Sequence, residues 1–148
     1  MKILPIALSL LLSVVTHALA QDRFISKNTL PSGQTLVVAE GDFEARSIGS
    51  FSVRLYEAAT SPDETTYFVD GLIRARDGVV EKLIFADLNG DKQQEAIITV
   101  CSVGTGNYMS AHAFSVAERS LTFLAAVEGL APDVDPVAAL RERVKKRD

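Results

Sequence analysis

Turn-forming residues interrupt this chain roughly every ten residues, and that spacing constrains its fold more than any other feature. The breaks are Pro31-Ser-Gly33, Gly41-Asp42, Ser61-Pro-Asp63, Asp77-Gly78, Asn89-Gly90, Gly106-Asn107 and Glu118-Arg-Ser120. Between them lie short apolar or alternating runs at Thr35–Ala39, Ser50–Tyr56, Thr66–Arg74, Val79–Phe85, Ala96–Val103, Tyr108–Val116 and Leu121–Val127. Runs of this length suit strands and leave no room for helices of ordinary length. Short strands separated by regular turns predict an all-β domain, either an antiparallel sandwich or a barrel. Gln21–Leu30 is polar and reads as a leader or edge segment.

The two ends follow different rules. Lys2, the apolar run Ile3–Val15 and Ala18-Leu-Ala20 make a signal peptide over residues 1–20, with cleavage expected before Gln21. Gln21 is not cysteine, which argues against lipoprotein processing, and no later apolar run reaches the ~18 residues of a membrane span. Residues 21–148 are then one exported domain, long enough for a single core. At the other end, Asp135-Pro136 reads as a helix cap with proline at the first helical position. A short helix is expected over Val137–Lys146, with its basic run Arg141-Glu-Arg-Val-Lys-Lys-Arg147 solvated and frayed.

The formal charge is −4, and loss of the leader with Lys2 makes it one unit more negative, so nucleic acid is excluded as a partner. Cys101 is the one cysteine, so no intrachain disulfide can form, and its apolar surroundings mark it as a buried, inert thiol.

Three constellations could carry function. The first is Thr105-Gly106-Asn107-Tyr108 between two strand-like flanks. A two-residue turn centred on Gly106-Asn107 would set Thr105 opposite Tyr108, on one side of the sheet with Cβ atoms roughly 5 Å apart. Gly104 and Gly106 would keep the tip slim and supply unusual backbone angles. The second is Asp87, Asn89 and Asp91, with Glu95 beyond, whose alternating oxygens resemble the start of a calcium loop. Lys92 at the sixth position and Ile98 at the twelfth oppose that, and a β-turn on Asn89-Gly90 is the simpler reading. The third is Cys101 with His112, which the same two-residue turn would bring face to face as the start of a nucleophilic dyad. No third, orienting residue can be placed, and a buried thiol beside a satisfied histidine is favoured. No enzyme activity and no cofactor are expected.

Asp87-Leu-Asn-Gly-Asp91, Glu95–Phe114 with its Thr-Gly-Asn-Tyr run, and Leu30–Tyr56 together resemble the periplasmic inhibitors of I-type (invertebrate-type) lysozyme. That family carries a Ser-Gly-x-Tyr loop; Thr105 stands here for the serine, keeping the hydroxyl and adding a methyl group. The resemblance implies a β-sandwich of about seven to eight strands, a homodimer, and residence in the periplasm of a Gram-negative bacterium. It further implies that Thr105 and Tyr108 enter the lysozyme cleft and bind the catalytic carboxylates. Hydroxyls suit that task because they can donate to an ionised carboxylate or accept from a protonated one. The spacing of residues 105–108 argues against the c-type inhibitors, whose motif is one residue longer. Goose-type lysozyme inhibitors are the near alternative, and a calcium-dependent adhesion or carbohydrate-binding module the distant one.

Overall fold

Alternation between apolar and polar positions, broken by those turns, becomes eight antiparallel strands and one helix. The computed structural model describes residues 22–61 and 65–146, so the expected leader at residues 1–20 lies outside it. The strands are β1 (Ile25–Thr29), β2 (Thr35–Glu40), β3 (Ile48–Tyr56), β4 (Phe68–Asp77), β5 (Val79–Ala86), β6 (Glu95–Cys101), β7 (Met109–Ala117) and β8 (Ser120–Leu130). They form two four-stranded meanders, β1-β2-β3-β4 and β5-β6-β7-β8. The all-β sandwich is as expected, and the polar segment before Leu30 supplies the edge strand β1.

Inward positions of the two sheets meet in the main core. Leu36, Val38, Phe51, Val53 and Leu55 from the first sheet face Ala96, Ile98, Val100, Phe114 and Leu121 from the second. Phe51 and Phe114 touch edge to face at 6.2 Å, a favoured aromatic geometry.

A second core lies on the opposite face of the second sheet. The helix α1 (Pro136–Lys145) is capped by Asp135, whose carboxylate accepts from the Val137 N–H at 2.9 Å. It buries Leu140 fully against Ile97, Ala111, Ala113 and Ala125. The small alanine side chains let the helix axis come close. The helix is therefore docked rather than frayed, although Arg141, Arg143, Lys145 and Lys146 stay exposed as expected. With both faces covered, β6 is buried along almost its whole length, which explains why Ala96–Val100 loses the alternation of a half-exposed strand.

Gly78 alone separates β4 from β5, and the chain changes sheet there. Its φ of 124° lies in the region that favours glycine. Two buried charged residues hold this corner. Glu40 accepts the Val80 N–H at 2.7 Å and the Arg46 guanidinium at 2.8 Å. The buried Arg76 donates to the carbonyls of Ser50 (3.0 Å), Arg46 (2.8 Å) and Ala45 (3.0 Å), and to that of Gly78. Buried charges need such saturation to be tolerated.

Candidate functional site

Strand register gathers several loops at one end of the sandwich. Ile48 pairs with Asp77, Val79 with Cys101, and Met109 with Leu130. The segments 41–47, 102–108 and 131–135 therefore emerge on the same side as the Gly78 corner.

The loop between β6 and β7 is longer than the two-residue turn expected. Cys101 pairs with Met109, and the Ser102 N–H donates to the Tyr108 carbonyl at 2.8 Å, so the loop spans Ser102–Tyr108. Thr105 lies at its apex and does not face Tyr108. The left-handed backbone falls on Asn107, with φ of 46°, and on neither Gly104 nor Gly106. Asparagine tolerates that region better than most residues. The two glycines differ in their surroundings: a Cβ at Gly104 would meet nothing within 4 Å, whereas one at Gly106 would lie 2.4 Å from the Tyr108 ring. Tyr108 thus folds its ring against the Gly106 backbone while remaining 54% exposed, and Thr105 is exposed as well.

The longer loop also removes the thiol–imidazole pair. His112 pairs with Ile98, three positions from Cys101, and that odd shift puts the two side chains on opposite faces. His112 is buried between the sheets, with its ring edge-on to Phe51 at 5.3 Å and Nδ1 without a hydrogen-bond partner among the described residues. Burial, with Arg74 nearby, holds its pKa below the ordinary range against the opposing pull of Glu128. Cys101 is half-buried at the strand end. Cys101 and His112 therefore form no nucleophilic dyad.

The oxygens of the Asp87–Asp91 run point at their own backbone. Asp87 accepts from the N–H groups of Gly90 (2.6 Å) and Lys92 (2.9 Å), Asn89 from Asp91 (3.0 Å), and Asp91 from Gln93 (2.7 Å). Those bonds, the Gly90 bond above all, hold the Asp87 pKa below its usual range. Glu95 is buried and accepts the Leu88 N–H at 2.8 Å. These are the bonds of a self-capped turn. Among the described residues no cluster of three or more His, Cys, Asp or Glu side chains is disposed to hold a metal.

Sequence reasoning missed what fixes the Ser102–Tyr108 loop at its root. A Cβ at Gly78 would lie 2.1 Å from the Cys101 carbonyl oxygen and 2.8 Å from the Ser102 Cα. The sheet-changing corner therefore packs directly on the base of the 102–108 loop. Asp77-Gly78 was legible as a turn, but not as that loop's support.

Among the described residues no helix is long and apolar enough to cross a membrane. No curated protein matches the chain. The profile of the family described as periplasmic lysozyme inhibitor of I-type lysozyme matches residues 22–144. The crystal structure of such an inhibitor from Aeromonas hydrophila is similar at 45% identity, covering 79% of this chain and 98% of that one, with a TM-score of 0.71. The crystal structure of Aeromonas hydrophila PliI in complex with Meretrix lusoria lysozyme is similar at the same identity and TM-score, covering 80% of this chain and 95% of that one. On the profile match and on 45% identity over nearly the whole of a solved inhibitor, the chain belongs to the family of periplasmic lysozyme inhibitors of I-type lysozyme.

Proposed function

We propose that this chain inhibits I-type lysozyme by blocking its substrate cleft with the Ser102–Tyr108 loop, and performs no chemistry of its own. Thr105 and Tyr108 bind the enzyme's catalytic carboxylates with their hydroxyls, so that a saccharide cannot enter. The observation that carries this reading is that Thr105 and Tyr108 are both exposed on a loop whose root is closed by the Ser102–Tyr108 bond and backed by Gly78. A loop held in this way loses little freedom on binding. The similar inhibitor solved in complex with Meretrix lusoria lysozyme supports the choice of partner.

Self-association belongs to the same proposal. Ile25 and Ile73 are 62% and 74% exposed, in one cross-strand row with Ala39 and Ser52 on the outer face of the first sheet. Covering that row with a second copy would remove apolar surface from water. Sedimentation of the wild type against Ile73→Lys tests it, and a wild type that stays monomeric excludes it.

The test of function is inhibition of purified I-, c- and goose-type lysozymes by the protein and by Thr105→Ala/Tyr108→Ala. Selective inhibition of the I-type enzyme, weakened in the double variant by about 2 kcal/mol or more, is expected. Undiminished inhibition in that variant would move the binding surface elsewhere, and inhibition of goose-type lysozyme alone would replace the target.

A further inference from the structure

Phe43 stands out among the residues the loop reading leaves unused. Its side chain is fully exposed, and its φ of 61° lies in the left-handed region. Either property alone is unfavourable for a phenylalanine: the ring is left in water, and a bulky side chain at positive φ strains the backbone. A glycine or asparagine would fit the turn with less strain.

The segment that carries Phe43 is nevertheless among the most firmly tied loops of the fold. The Glu44 carboxylate accepts the N–H and the hydroxyl of Ser50, at 2.6 and 2.7 Å, and Arg23 donates to the Glu44 carbonyl. Arg76 holds the carbonyls of Ala45 and Arg46, and the Ser47 carbonyl accepts the Gly78 N–H at 2.8 Å. The loop is pinned by its polar groups while its one aromatic residue touches nothing that would bury it. Backbone strain and a bare aromatic ring on a pinned loop are the pattern of a preformed contact residue.

Position identifies the partner. Through Ser47 and Gly78 this loop is joined to the corner that supports Cys101 and Ser102, so it opens on the same end as the Thr105–Tyr108 loop. Val103 and Val134, at 59% and 39% exposure, add apolar surface at that end. We propose that Phe43 is a second anchor for the lysozyme, its ring packing on an apolar surface beside the cleft while the 102–108 loop occupies the cleft itself. This inference rests on the inhibitor reading and extends its interface to the 41–47 loop.

Phe43→Gly provides the test, because the two roles of the residue predict opposite effects. Relief of the strain leaves thermal stability equal to or above that of the wild type, whereas loss of the ring weakens inhibition of I-type lysozyme by about tenfold or more. Phe43→Tyr is expected to keep most of the inhibition. The Thr105→Ala/Tyr108→Ala variant is assayed in parallel. Wild-type inhibition that the double variant loses but Phe43→Gly retains would overturn the Phe43 proposal and leave the loop mechanism standing. A Phe43→Gly protein that inhibits normally but no longer self-associates would likewise overturn it, and assign the ring to contact between copies. A wild type that inhibits no lysozyme would end both readings.

Discussion

The α-carbon of Gly78 lies so close to the carbonyl of Cys101 that a Cβ at position 78 would sit 2.1 Å from the oxygen. One backbone thus rests on another, where the chain passes between sheets and where the proposed inhibitory loop begins. Neither partner is a flexible side chain, so neither can yield easily.

Gly78→Ala is accordingly expected to destabilise the protein by about 1–3 kcal/mol, from the strain at a φ of 124° together with the forced separation from Cys101. Urea denaturation measures the loss. Inhibition should fall further than the unfolded fraction accounts for, because the root of the 102–108 loop must move. A variant that inhibits in proportion to its folded fraction would show that the loop is positioned independently of the corner.

The two loop glycines should respond differently. Gly104→Ala meets open space, and both stability and inhibition should stay within about 0.5 kcal/mol of wild type. At Gly106 the added methyl displaces the Tyr108 ring, which is exposed and free to swing away. Stability should again change by less than about 1 kcal/mol, but inhibition should weaken by at least about tenfold if the ring's position matters. Equal inhibition constants for the two variants would argue that Tyr108 need not be held in place.

Acid should weaken the fold in two steps. The folded-state pKa of His112 is depressed, chiefly by burial, so its contribution is present above the ordinary value near 6.5 and is lost as pH falls through the lower folded value. Glu44 acts in the same direction below its ordinary value of 4.5, because the Ser50 N–H and hydroxyl favour the ionised carboxylate. His112 is the one histidine after residue 20, so an imidazole NMR titration of residues 21–148 reads it directly. A midpoint at or above 6.5 would contradict the buried placement.

Leu140→Ala should cost about 2–4 kcal/mol, since it opens a cavity where the helix meets Ile97, Ala111, Ala113 and Ala125. Chemical denaturation measures this, with circular dichroism showing whether the helix persists. A cost below about 1 kcal/mol would mean that the helix end frays, as its basic run suggests when taken alone.

Local pattern carried much of this protein. Turn dipeptides and β-propensity placed seven of the strands, Asp135-Pro136 marked the helix start, and Asp87-Leu-Asn-Gly-Asp91 was legible as a self-bonded turn. The Thr105–Tyr108 motif was legible too, because its identity is contiguous. Each of these signals is complete within a few residues, so a short window contains all the physics that produces it. The fold's long-range relationships are of another kind. Whether Cys101 pairs with His112 or Met109 depends on how many residues the loop takes up, and only packing of both sheet faces decides that. Glu40 binding the Val80 N–H, Arg76 gathering four carbonyls and Gly78 resting on Cys101 join segments far apart in the chain. Phe43 shows the same division. Its residue type and its turn can be read from the sequence, but its bareness cannot, because exposure belongs to the assembled surface. The sequence by itself determined which elements form and where most of the turns between them fall. Tertiary structure alone decided register, the packed corner and the shared end of the loops, because those energies exist only between parts that folding brings together.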